Sequence, residues 1–98
     1  MSNRLIYTNV FIKELENICE YIAEDNLAAA EKFAGDVFDK TGKLSDFPLS
    51  GILPKEKYRQ LKNYRLLVLG NYIVYYQFDS QNKNIYLHRI VHGARYAF

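Results

Sequence analysis

One cysteine, Cys19, stands among 98 residues, so neither an intrachain disulfide nor a zinc site built on several thiolates can form within the chain. No apolar run approaches the ~18 residues that a bilayer-spanning helix requires. The opening Met1-Ser2-Asn3-Arg4-Leu5-Ile6-Tyr7 lacks the long apolar stretch and small-residue cleavage site of a secretory signal. There is no Gly-x-Ser-x-Gly elbow and no glycine loop able to cradle phosphate. The two histidines, His88 and His92, fall four apart on a predicted strand, roughly 13 Å at ~3.3 Å per residue, which is too far for one ion. No carboxylate cluster lies near them in sequence. These absences predict a cytoplasmic, metal-independent protein without a cofactor and without a membrane partner.

What is present is an ordinary globular balance, 49% hydrophobic and 24% charged, in a length that accommodates one domain over residues 1–98. The net charge of +2 conceals a division. Residues 1–53 hold five basic side chains (Arg4, Lys13, Lys32, Lys40, Lys43) against nine acidic ones. Residues 54–98 hold eight basic ones (Lys55, Lys57, Arg59, Lys62, Arg65, Lys83, Arg89, Arg95) against Glu56 and Asp79. Seven of the nine tyrosines share the basic half. Cations interleaved with aromatics suit an anionic partner, either nucleic acid or an acidic protein.

Arg4 to Thr8 reads as a first strand, and Asn9 as the cap of a helix. Phe11, Leu15, Ile18 and Ile22 recur at helical spacing, with Glu14, Glu16, Glu20 and Glu24 on other faces that read as solvated. Cys19 lies near the apolar stripe as a small hydrophobe. Asp25-Asn26 ends this helix and caps the next, whose stripe of Leu27, Ala30, Phe33, Ala34, Val37, Thr41 and Leu44 runs to about Ser45. Phe47-Pro48-Leu49-Ser50-Gly51 breaks the pattern. Beyond it the period falls to two, predicting strands at about Gln60–Leu69, Tyr72–Phe78 and Asn84–His92, with a tight hairpin turn at Gly70-Asn71. The fold class is α+β: a helical hairpin packed on a mainly antiparallel sheet, in the order β-α-α-β-β-β.

A turn at Gly70-Asn71 pairs Leu69 with Tyr72 and Leu67 with Val74. One face then carries Leu67, Leu69, Tyr72, Val74, Tyr76, Phe78, Ile85, Leu87 and Val91, plus Arg65 and Arg89, and is expected to meet the helices. The other, with Tyr64, Leu66, Val68, Ile73, Tyr75, Gln77, Tyr86, His88, Ile90 and His92, is the expected working surface. A one-residue slip would exchange these roles along a strand. Cleavage of RNA through its own 2′-hydroxyl needs a base, an acid and cations. His88, His92, Arg65, Arg89, Arg95 and several tyrosines can supply them. Each alone reads as a packed or solvated strand residue; their accumulation toward the C-terminus is what suggests a site.

The run Tyr21-Ile22-Ala23-Glu24-Asp25-Asn26-Leu27-Ala28-Ala29-Ala30-Glu31-Lys32-Phe33 resembles the helical hairpin of the RelE/ParE toxin superfamily. Leu44-Ser45-Asp46-Phe47-Pro48-Leu49-Ser50-Gly51 is similar to its helix exit, and Tyr64-Arg65 with Gly70-Asn71-Tyr72-Ile73-Val74-Tyr75-Tyr76 to its central hairpin. Arg89-Ile90-Val91-His92-Gly93-Ala94-Arg95 resembles the closing strand of ParE-like members. The resemblance covers nearly the whole chain.

It implies the toxin of a bacterial type II toxin–antitoxin module, held inactive by a cognate antitoxin in a hetero-oligomer. Two activities share the fold: ParE-like members poison DNA gyrase, and RelE-like members cut mRNA on the ribosome. RelE-like nucleases place cations at positions corresponding to Tyr64, Leu66 and Ile73, none of which is basic here. A transition state gaining negative charge without those cations loses several kcal/mol of stabilisation. The gyrase reading is therefore preferred, with Arg65, Arg89, His92 and Arg95 as the target-binding residues. In the alternative, an mRNA endoribonuclease, His92 or Tyr96 would move protons while Arg65 or Arg95 held phosphate.

Overall fold

The computed structural model describes residues 2–55 and 63–93. Its elements run β1 (Arg4–Tyr7), α1 (Asn9–Asp25), α2 (Leu27–Gly42), β2 (Arg65–Leu69), β3 (Tyr72–Asp79) and β4 (Asn84–His92). A short 3-10 turn, Lys43–Ser45, follows α2. The strands form one sheet in the order β1-β4-β3-β2. β1 runs parallel to β4, and the other two pairs are antiparallel. This is the expected α+β arrangement, with α1 and α2 packed on one face.

Local chemistry sets the element ends. Thr8, not Asn9, caps α1: its backbone is extended while Asn9 is already helical, and its Oγ1 accepts from the Phe11 amide at 3.1 Å. The same hydroxyl donates to the His88 carbonyl at 3.1 Å, tying the helix start to β4. Asn26 serves both helices of the hairpin. Its amide closes α1 onto the Ile22 carbonyl at 3.0 Å, and its Oδ1 accepts from the Ala29 amide at 3.0 Å to start α2. α2 stops at Gly42 and tightens into the 3-10 turn, so the α-helix ends three residues before the expected Ser45. β1 ends at Tyr7 and β3 extends to Asp79, each one residue from expectation. β2 begins at Arg65; the predicted strand start at Gln60 lies outside the described residues.

The hairpin forms as expected, with Leu69 opposite Tyr72 and Leu67 opposite Val74. Gly70 takes a φ of 59°, as a two-residue turn with glycine at its first central position requires. The core lies between helices and sheet: Phe11, Leu15, Val37 and Leu44 meet Leu69, Val74, Tyr76, Ile85, Leu87 and Ile90. Ile90 in that group is a correction to the expected faces. A β-bulge in β4 sets Tyr75 opposite Arg89 but Tyr76 opposite Leu87, leaving His88 as the extra residue. Alternation restarts after it. Ile90 pairs with Val74 and turns into the core, whereas Val91 pairs with Ile73 on the other face.

Among the described residues, no helix is long and apolar enough to cross a membrane. Among the same residues, no group of three or more histidine, cysteine, aspartate or glutamate side chains gathers to hold a metal. Cys19 is partly buried beside the core, and desolvation raises its thiol pKa.

Candidate functional site

The face of the sheet turned away from the helices carries a polar-aromatic patch where β2, β3 and β4 run side by side. Gln77 on β3 is opposite Tyr86 on β4. His88 comes next along β4, and the bulge directs it to this face. Its ring packs against Tyr64, with centroids 5.3 Å apart, and stacks on Tyr86 at 6.1 Å. Its Nε2 lies 2.8 Å from Gln77 Oε1. With the proton on Nε2 donated to that amide oxygen, Nδ1 keeps the lone pair. Partial burial lowers the His88 pKa, so the ring is neutral at physiological pH. The Tyr86 hydroxyl in turn accepts from Asn84 Nδ2 at 3.2 Å.

Arg89, the second residue of the bulge, is clamped from α1. Glu14 accepts from its Nε at 3.1 Å and from its Nη2, and Glu14 Oε1 also accepts from the Ile90 amide at 3.2 Å. The carboxylate thus satisfies a backbone donor on the stretch of β4 that β1 does not reach. The hydrogen bonds from Arg89 to this carboxylate raise the already high guanidinium pKa. Glu14 is therefore a correction to the solvated helix face expected from sequence. Residues 75 positions apart gave no local signal of it.

Arg65 faces the helix side of the sheet and is engaged in holding a loop. Its Nη1 donates to the Leu49 and Gly51 carbonyls, both at 3.0 Å. The buried Tyr76 hydroxyl completes the anchor by donating to the Pro48 carbonyl at 2.8 Å and accepting from the Gly51 amide at 2.9 Å. Burial raises the Tyr76 pKa, so it remains a phenol. A Cβ on residue 51 would fall 2.5–2.9 Å from the Tyr76 ring and hydroxyl, so only glycine fits.

His92 is exposed on the helix side at the end of β4, edge-on to Tyr72 with centroids 5.3 Å apart. The bulge therefore separates the two histidines, which were expected on one face. Arg95 and Tyr96 lie outside the described residues. The structure does not join Arg65, Arg89 and His92 into one cluster. Arg65 supports a loop on one side of the sheet, Arg89 pairs with α1, and His92 stands at the sheet's end.

Tyr64, Leu66 and Ile73, the three non-basic positions that the resemblance singled out, lie together on this face. Leu66 is buried beside Tyr75, with Tyr64, Ile73 and Val91 packed around the pair. That part of the surface is an apolar cluster rather than a phosphate cradle.

A family model described as the ParE toxin of the type II toxin–antitoxin system parDE matches residues 5–96. The chain belongs to the ParE toxin family. Solved structures share its fold. A chain of the chromosomal ParDE toxin–antitoxin system from P. aeruginosa is 19% identical, with a TM-score of 0.74 over 93% of this chain and 96% of its own. A chain of the toxin–antitoxin complex RelBE2 from Mycobacterium tuberculosis is 24% identical, with a TM-score of 0.63 over 94% of this chain and 99% of its own. No curated protein matches the sequence. A chain of a ParDE system and a chain of a RelBE2 system thus both share the fold of this ParE-family chain, and a shared fold does not by itself assign an activity.

Proposed function

We propose that this ParE-family toxin arrests growth by poisoning DNA gyrase and is held inactive in the cytoplasm by a cognate antitoxin. One observation carries the choice of target. Strands β2 to β4 contain two cationic side chains besides histidine, Arg65 and Arg89, and both are engaged within the fold. Charge building on a cleaved phosphodiester would meet no uncommitted guanidinium or ammonium on these strands, which is unfavourable for a nuclease. Inhibition by binding needs no such stabilisation. His92 and the sequence after it, with Arg95, would then make contact with the target, while Arg65 and Arg89 would act through the loop and the bulge they hold. Arg95→Glu is expected to abolish toxicity without loss of folding, and full toxicity in that variant would remove Arg95 from the site.

A second reading, ribosome-dependent mRNA cleavage, is favoured by His88, whose neutral imidazole beside two tyrosines could accept a proton. Pulse-labelling of DNA and protein synthesis in the first minutes after induction without antitoxin separates the two. Early loss of DNA synthesis, together with inhibited supercoiling by purified gyrase, is the expected result. Early loss of protein synthesis with message cut at defined codon positions would overturn the gyrase reading.

A further inference from the structure

Strand β2 lies at one end of the sheet, and its outer edge is only partly closed. Leu66 exchanges both backbone hydrogen bonds with Ile52, at 2.7 and 2.8 Å. Because successive residues of a strand point their backbone groups to alternate sides, Val68 turns its N–H and C=O to the same outer edge. Among the described residues nothing pairs with them. Exposed edges are ordinarily guarded by a charge, a proline or a bulge, yet the side chain here is Val68, 51% exposed.

Phe47, Leu49, Ile52 and Leu53, on the segment that borders β2, are 58–66% exposed. The whole run from Phe47 to Pro54 contains no charged residue. Loops usually turn polar groups outward, but this one uses its polar contacts inward. Arg65 and Tyr76 bind its carbonyls from beneath, and its apolar side chains stand outside.

We propose that this edge is an interface between two copies of the chain, related by a two-fold axis at Val68. Three features select a second copy. The open stretch of β2 spans only Leu67–Leu69, between the Ile52 bridge and the Gly70-Asn71 turn. That is shorter than the usual strand of about 5–6 residues, so a long peptide would meet Ile52. A second β2, which itself turns away at Gly70, ends where Ile52 begins. Antiparallel pairing about Val68 is also self-complementary, each Val68 satisfying the other's N–H and C=O. Finally, Val68 on the edge and Ile52 at its bridge each expose more than half their surface, so pairing of two copies about Val68 adds apolar contact to the backbone hydrogen bonds. An uncharged patch lets identical surfaces meet without like-charge repulsion.

Sedimentation equilibrium of the purified full-length chain, from low to high micromolar concentration, tests this. The expected result is a concentration-dependent dimer in which the Val68 amide is protected from hydrogen exchange. Val68→Lys places two ammonium groups face to face on the axis and should weaken association by about tenfold or more. Should Val68→Lys fail to fold, Leu53→Lys, at another exposed position, reads the same surface. A wild-type chain that stays monomeric overturns the proposal, including the case in which Val68 gains protection only when another protein is added. A dimer that persists in both folded variants overturns it as well.

Discussion

Tyr75 and Tyr76 are consecutive on β3, both almost wholly buried, and they face opposite sides of one sheet. Tyr76 belongs to the face closed by α1 and α2, where ten buried residues form the main core. Tyr75 belongs to the other face, where Leu66 is its buried companion and Tyr64, Ile73 and Val91 pack around them. Burial alone does not distinguish the two. The helix-side face draws stability from elements distant in sequence, and its loop is bound down by Tyr76 and Arg65. The far face is built from the sheet's own side chains and keeps Gln77, Tyr86 and His88 in a partly exposed network. One face holds the fold together, so the other can carry polar chemistry at little cost to stability.

The largest expected difference is in the cores. Leu87→Ala on the helix-side face should cost about 3–4 kcal/mol in urea unfolding, the usual range for a fully buried leucine. Ile73→Ala on the partly exposed face should cost about half of that or less. Equal losses would mean that both faces carry the fold. Next come the hydroxyls. Tyr76→Phe leaves the Gly51 amide and the Pro48 carbonyl without their partner and should cost about 2 kcal/mol. Tyr86→Phe should cost about 0.5 kcal/mol, its one side-chain bond being replaceable by water.

Glu14→Gln keeps an acceptor for the Ile90 amide but removes the ion pair. With Arg89 half exposed, the loss should be about 1 kcal/mol or less. The smallest effect concerns pH. The His88 pKa is lowered in the folded state, so below about 6.5 the unfolded chain binds more protons than the folded one. Stability should therefore fall as the pH drops from 7 through the lowered folded value. His88→Gln should flatten that part of the profile, and an unchanged slope in this variant would assign the titration to another group.

Much of this architecture is legible in the sequence because its signals are local. Phe11, Leu15, Ile18 and Ile22 mark a helix by spacing, Asn26 marks the hairpin by capping chemistry, and Gly70-Asn71 sets the β2–β3 register. Strict alternation carried through β4 hides the bulge. A signal was present: Ile85, Leu87 and Ile90, all buried, are spaced by two and then by three, which is the signature of one inserted residue. That single insertion separated His88 from His92 and exchanged Ile90 with Val91. The engagement of Arg65 and Arg89 was not legible at all. A guanidinium reads alike whether it faces solvent, a target or a carbonyl, and its partners here lie 14, 16 and 75 positions away.

The parallel pairing of β1 with β4 has a consequence in time. Residues Arg4–Tyr7 are synthesised 80 positions before their strand partners, Asn84–Leu87. Among the described residues, β4 is the only strand beside β1 in the sheet. The cost of closing so long a loop has to be met before that pairing stabilises anything. The helical hairpin can form early from its own contacts, but the sheet that orients it stays incomplete until β4 has been made. A chain interrupted before Asn84 would leave β1 without a partner and the core without Ile85, Leu87 and Ile90. Prematurely terminated copies of this toxin should therefore be unfolded and harmless to the cell that makes them.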